Sequence, residues 1–212
     1  MNFKKQSYEN LATSIIEKFN LRGIDGYYAD SAEEALEIIQ RFFTPGCSIS
    51  WGGSETLNEI GLIDILKISD SDFNLLDRTN VPPSERENFY SKVVGCDYFL
   101  MSSNAITMDG QLVNIDGSGN RVACLITGPK NVIVVAGMNK VVTDVEAGIK
   151  RVHNFAAPPN TVRLNKDTPC SQYGRCGDCL SKDCICSSVV ITRRSHIPGR
   201  IKVILVGEEL GF

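Results

Sequence analysis

Short apolar stretches alternate with helical-periodic ones along most of this 212-residue chain, and that alternation narrows its fold more than any other feature. Two parallel strands need a crossover long enough to hold a helix, so a repeated strand–helix–strand pattern builds a parallel sheet. Helices packed on such a sheet cover both of its faces. The pattern therefore predicts a three-layer, Rossmann-like α/β fold on a mainly parallel sheet. Residues 1–212 read as one domain, with a small Cys-rich segment inserted at about 165–188.

The individual elements are marked as follows. Tyr8, Leu11, Ala12, Ile15, Ile16 and Phe19 repeat at helical spacing. Ser31 and Glu34 have capping-box spacing at the start of a second helix, which turns Ala35, Ile38, Ile39 and Phe42 inward and stops before Pro45. Strands are expected at 47–51, 73–77, 98–101, 132–136, near 189–191 and at 201–206. Two apolar stretches, 105–108 and 111–115, flank Asp109-Gly110, a strong hairpin signal. Ser84 with Glu87, and Thr143 with Glu146, mark two more helix starts, the second helix ending at Pro158-Pro159. The segment from Pro158 to Ser188 breaks the general composition.

A net charge of -3 without any Lys/Arg run speaks against a nucleic-acid partner. The first seven residues lack the apolar core of a signal peptide. The apolar runs fall far short of the roughly 20 residues that span a bilayer. A cytoplasmic chain without a membrane partner is the expectation, and a homodimer is the commonest assembly for one.

Three turns share one design, in which an apolar strand runs through a glycine loop into a helix start: Trp51-Gly52-Gly53-Ser54, Asp116-Gly117-Ser118-Gly119-Asn120-Arg121 and Gly137-Met138-Asn139-Lys140. Glycine lets a ligand approach the backbone, and a helix start favours a phosphate or carboxylate. Loops at the carboxyl ends of parallel strands are where such folds bind ligands. Arg121 and Lys140 supply matching charge, so a small anionic metabolite is the expected partner. The plain alternative is three tight turns. None of them matches a phosphate-loop pattern, and 116–121 holds only part of a dinucleotide fingerprint. No nucleophile–base pair is evident, so no catalytic residue is assigned. His153 reads as structural and His196 as solvated, while Glu55, Asp109 and Asp116 stand near the loops as acid–base candidates.

Cys47, Cys96 and Cys124 lie singly in apolar stretches and read as small buried hydrophobes. The other five cysteines fall within seventeen residues, and without a secretory signal such a cluster reads as metal-binding or redox-active. Cys170-x5-Cys176-x2-Cys179-x6-Cys186 offers four thiolates, with Cys184 close by. Four thiolates suit structural zinc or an iron–sulfur cluster. Zinc ribbons use two Cys-x-x-Cys pairs and only one is present, which tilts the reading towards iron–sulfur. Ferredoxin spacing is absent too, and a reducible disulfide or free-thiol cluster stays open.

Several segments together resemble the lactate-utilisation (LUD) domain family. They are Ser50 to Ser54, Ser102 to Thr107, Asp116 to Ala123, Gly128-Pro129-Lys130, Gly137 to Lys140, Thr168-Pro169-Cys170 and Val206 to Gly211, most clearly from Trp51 onward. The resemblance implies a fold like that of ribose-5-phosphate isomerase, glucosamine-6-phosphate deaminase and the CoA transferases, with ligand held against glycine loops. It adds Ser103 and Asn104 to the expected pocket walls and leaves Cys184 outside the metal set. It also implies a link to lactate oxidation, where relatives work alongside iron–sulfur partner proteins. Three readings follow: a small-molecule enzyme or enzyme subunit, a redox component built on the cysteines, and a non-catalytic metabolite sensor.

Overall fold

The computed structural model describes residues 3–69 and 72–212. Six strands form a fully parallel sheet: β1 (Asp25–Ala29), β2 (Ser48–Trp51), β3 (Asn74–Leu76), β4 (Tyr98–Met101), β7 (Asn131–Gly137) and β10 (Ile201–Val206), in the order β1-β10-β7-β4-β2-β3. A second sheet of four short strands holds β5 (Ala105–Thr107), β6 (Leu112–Asp116), β8 (Val141–Val142) and β9 (Ser188–Thr192), in the order β8-β5-β6-β9. The mainly parallel, helix-covered α/β fold expected from the alternation is the fold observed.

The layering follows from side-chain alternation along buried strands. On β7, Val132, Val134 and Ala136 face one core while Ile133 and Val135 face the other. The first core is covered by α1 (Phe3–Leu21), α5 (Arg86–Val94) and α6 (Asn120–Ile126), and it reaches Ile106 and Leu112 of the second sheet. The opposite core is covered by α2 (Ala32–Gln40), α3 (Glu55–Glu59) and α4 (Leu62–Ile68). The Asp109-Gly110 signal forms its hairpin, with β5 antiparallel to β6.

Some local expectations shift. The Ser31 hydroxyl accepts the Glu34 N–H as predicted. Ser84 caps nothing; it lies in a 3-10 turn ahead of α5. The start at Thr143 moves one residue, because Asp144 accepts the Ala147 N–H and caps α7 (Val145–Arg151). Pro158-Pro159 begins a helical segment instead of ending one. A π-turn (Val152–Ala156) follows α7 and leads into α8 (Ala157–Arg163), whose first turn carries the prolines. The first turn of a helix has no use for those N–H groups, so proline is tolerated there. The loop after β7 enters a 3-10 turn and then β8, not an α-helix. β1 was not marked in the sequence, since Gly26-Tyr27-Tyr28 between two turns lacks an apolar run.

Arg200 ties the layers together from inside. Buried at 8% exposure, it donates to the carbonyls of Pro129, Leu125 and Cys124 at 2.9, 2.8 and 2.8 Å. These include the last carbonyls of α6, which lack helical partners. Replacing Arg200→Leu leaves three carbonyls without donors, and urea unfolding should register a loss of about 3 kcal/mol. A loss below about 1 kcal/mol would mean that water takes over those carbonyls.

Candidate functional site

β7, β4 and β2 are neighbours in the parallel sheet, so their carboxyl ends deliver three loops to one place. β2 runs into Gly52-Gly53-Ser54, where the Ser54 hydroxyl accepts the Leu57 N–H at 3.3 Å and caps α3. β4 leads to Ser102-Ser103-Asn104, and β7 leads to Met138-Asn139-Lys140. β6 brings in Asp116 from the second sheet; its carboxylate accepts the Gly119 N–H at 2.8 Å, and Gly119 takes a left-handed φ of 78° to start α6.

Arg121 locks these loops. Its terminal nitrogens donate to Ser102 O (3.2 Å), Asn114 Oδ1 (2.5 Å), Asn104 Oδ1 (2.9 Å) and Ile115 O (2.9 Å), and its Nε lies 3.3 Å from the Asp116 carboxylate. All its donor positions are thereby used on the protein's own chain. Arg121 contributes charge and shape to the site, with no open fork for a ligand. Asn104 is the second fastener: its Oδ1 also accepts the Ile115 N–H at 3.0 Å, and its carbonyl accepts from Arg151 at 2.8 Å.

A cavity of about 450 Å³ opens between these loops, the π-turn, α8 and the cysteine segment. An inner recess of about 90 Å³ shares the wall formed by Gly53, Asn104, Ile115, Arg121, Asn160 and Arg163. The π-turn puts Val152 and Ala156 on the cavity wall, and both pack in a small apolar cluster with Ile115. Together the two spaces are lined by Arg78, Arg121, Lys140, Arg163, Lys166 and Lys182, against Glu55, Asp116 and Asp183. That is a positive lining in a chain whose net charge is -3. Arg163 pairs with Glu55 at 3.1 Å and Lys166 with Asp183 at 3.7 Å, leaving the surplus on the remaining cations.

Lys140 lines the recess at 4% exposure. Its Nζ contacts two hydroxyls, Thr56 Oγ1 at 2.7 Å and Ser102 Oγ at 3.1 Å, and it has no ion-pair partner among the described residues. Burial, with the charge of Arg151 nearby, pushes its ammonium down to about 7. Burial lowers Arg151 and Arg121 from the ordinary guanidinium value as well. The exposed carboxylate of Glu59 opposes the shift of Lys140 but accepts a hydrogen bond from Gly211 N at 2.5 Å.

Of the loop residues singled out in the sequence, Gly53, Asn104, Gly117, Asn120 and Arg121 line the outer cavity, and Ser54, Ser103 and Lys140 line the recess. Trp51, Gly52, Gly119, Gly137 and Asn139 stand behind the walls. A Cβ on Gly137 would lie 2.6 Å from Glu208 O and Leu210 N, so this glycine admits the backbone of 208–210. Asn139 holds the same segment, accepting the Leu210 N–H at 3.1 Å. Asp109 lies away from the cavity, ion-paired with Arg22 at 2.7 Å. Thr56, Ser102, Arg78, Asn160, Arg163, Lys166 and Lys182 were not anticipated. Ser102 lies inside, and Thr56 beside, segments already marked, whereas Arg163 comes from a helix hidden behind two prolines.

The cysteines of the insertion are all free. Cys184 and Cys186 line the cavity, and Cys170 is buried with its Sγ 3.2 Å from Thr168 Oγ1 and 3.5 Å from Thr161 Oγ1. Burial and the neighbouring Cys184, Cys176 and Cys170 push the Cys186 thiol up to about 12. Cys179 contacts Ser181 at 3.5 Å, and Cys184 Sγ accepts the Cys186 N–H at 3.5 Å. An all-thiol donor set suits zinc or iron–sulfur chemistry. No group of three or more Cys, His, Asp or Glu among the described residues is gathered in a metal-holding arrangement. Nor is any helix among those residues long and apolar enough to cross a membrane.

A family model for the LUD domain matches residues 12–206. Among solved structures, the chain is similar to a DUF162 family protein from Deinococcus radiodurans, at 14% identity and a TM-score of 0.53. The alignment covers 94% of this chain and 98% of that one, and it supports the fold. No curated protein sequence matches the chain.

Removing the Arg121 fastener should be costly. Arg121→Met leaves Asp116 without its cation and removes one donor each from the Asn104 and Asn114 side chains. Loss of one partner of a buried pair typically costs about 3–5 kcal/mol, which urea unfolding would detect. A loss within about 0.5 kcal/mol would show that the loops hold their shape without it.

Proposed function

We propose, from the premise that this chain belongs to the LUD domain family, that it binds a small anionic metabolite in the recess between its two sheets, as an enzyme or enzyme subunit linked to lactate utilisation. The observation that carries this reading is Lys140. A buried ammonium bonded only to hydroxyls, with two guanidinium groups close by, lacks the counter-charge that buried cations ordinarily have. A carboxylate entering the recess supplies it. The outer cations, Arg78 and Lys182 among them, draw such an anion inward. A recess of about 90 Å³ suits a short-chain hydroxy or oxo acid.

Calorimetry with lactate, pyruvate and inorganic phosphate tests the reading. Lys140→Met should weaken binding of the preferred anion about tenfold or more, since a hydrogen bond to a charged group contributes roughly 1.5–3 kcal/mol. The pH dependence has a defined sign. Lys140 is charged below about 7 and neutral above it, so anion affinity should fall as pH rises through that value. The reading fails if none of the three anions binds, or if Lys140→Met binds them as the unsubstituted protein does.

A second reading rests on the place of the cysteine segment in the cavity wall. Cys170, Cys176, Cys179 and Cys186 would hold zinc or an iron–sulfur cluster, with Cys184 the thiol left over. A cluster bound there would supply electron transfer beside the anion pocket. Anaerobic purification followed by metal analysis and visible absorption separates the outcomes. Iron with sulfide supports an electron-transfer component working with iron–sulfur partner proteins; stoichiometric zinc, or no metal, removes it.

A further inference from the structure

We propose that Lys140 is a nucleophile that captures a 2-oxo acid covalently, as an imine on its Nζ. This rests on the anion-pocket reading and assigns a substrate class to the same recess. Lysine amines form imines with carbonyl compounds, and they are activated by desolvation and by neighbouring cations. Both conditions meet at Lys140, which is buried and has Arg121 and Arg151 in its electrostatic surroundings. The two atoms that touch Nζ are hydroxyl oxygens, Thr56 Oγ1 at 2.7 Å and Ser102 Oγ at 3.1 Å. A carboxylate contact would hold the amine in its charged form; hydroxyls accept from it and donate to it equally well.

The recess also separates the two ends that a 2-oxo acid needs. Arg121 and Arg163, whose donors are engaged within the protein, place positive charge on its wall that favours a carboxylate, and Lys140 stands at the same recess for the adjacent carbonyl. In the reaction, the Nζ lone pair forms a bond to the carbonyl carbon and the C=O π pair moves onto oxygen. One amine proton passes to that oxygen, giving a carbinolamine; the hydroxyls of Ser102 and Thr56 are within reach to relay it. The C–O bond then breaks, and the oxygen leaves as water with the second amine proton. The nitrogen lone pair forms the C=N bond. Oxo acid and amine give imine and water, with no change of oxidation state and no other reactant. Serine and threonine are the remaining hydroxylic groups of the recess, and none has a histidine among its hydrogen-bond partners to activate it.

The test is reductive trapping on the intact protein. Pyruvate is added with cyanoborohydride, and the product is read by intact mass and peptide mapping. The expected result is one reduced pyruvate unit on the peptide that contains Lys140. Trapping should rise as pH increases through about 7, where the amine loses its proton, opposite in sign to anion binding. Lactate, which has no carbonyl, should suppress the labelling by competition and give no adduct itself. Lys140→Met, verified as folded by its thermal transition, should lose the adduct. If calorimetry shows pyruvate bound while no adduct forms at Lys140, or if label spreads evenly over the surface lysines, covalent capture is overturned and the anion pocket stands. If phosphate alone binds, covalent capture is overturned and the anion pocket stands; if none of pyruvate, lactate and phosphate binds, both readings fall together.

Discussion

The candidate site depends on a guanidinium that no ligand has to touch. Arg121 reaches from α6 to the loop after β4 and to β6, joining the parallel sheet to the second sheet with four hydrogen bonds and the Asp116 contact. Burying an arginine this deeply is favourable only when its donors are satisfied and its charge is answered nearby. Asp116 answers that charge and also holds the Gly119 N–H, so one carboxylate fixes both the cation and the start of the helix that carries it. The recess is the space left between elements that Arg121 has already positioned.

The polarity of the recess follows from the same arrangement. Arg121, Arg151 and Lys140 converge from α6, α7 and the loop after β7, and the nearest carboxylates are engaged elsewhere: Asp116 with Arg121, Glu55 with Arg163 and Glu59 with the Gly211 N–H. Three closely placed cations repel one another, and Lys140, the buried one, is the one that can relieve the repulsion by releasing a proton. Arginine cannot do so at ordinary pH. The structure thus concentrates the consequences of crowding on a single amine. An incoming anion and proton loss are alternative ways to remove the same excess charge, which is why binding and nucleophilic reactivity at Lys140 run in opposite directions with pH.

The parallel sheet was legible because its strands are buried on both faces and read as continuous apolar runs. Tyr98–Met101 and Ile201–Val206 stand out for this reason. β1 did not stand out, since its Gly26 is shaped by contact with Ile16 and Phe19 of α1, a tertiary packing demand with no local signature. The glycine loops were visible as loops, yet their glycines act in two ways that sequence alone does not separate. Gly53 and Gly117 face the cavity, whereas Gly137 and Gly52 make room for the protein's own backbone and for the Arg121 stem. Arg121 and Lys140 were both marked as charges for a ligand. The structure divides that work between them, because the number of acceptors around a side chain is a property of the assembled loops and not of its neighbours in sequence. Arg163 and Asn160 were hidden by Pro158-Pro159, which look like a helix end and are a helix start.

The cysteine segment is coupled to the cavity through its main chain, whatever its thiols hold. A Cβ on Gly117 would sit 3.3 Å from Ile185 Cα, so the glycine loop and the segment are in backbone contact. The Ser187 N–H then donates to Asp116 O at 3.1 Å, and the chain continues as β9 along β6. Asp116 therefore meets Arg121 through its carboxylate and the end of the cysteine segment through its carbonyl. The insertion and the pocket share one fastener, Asp116.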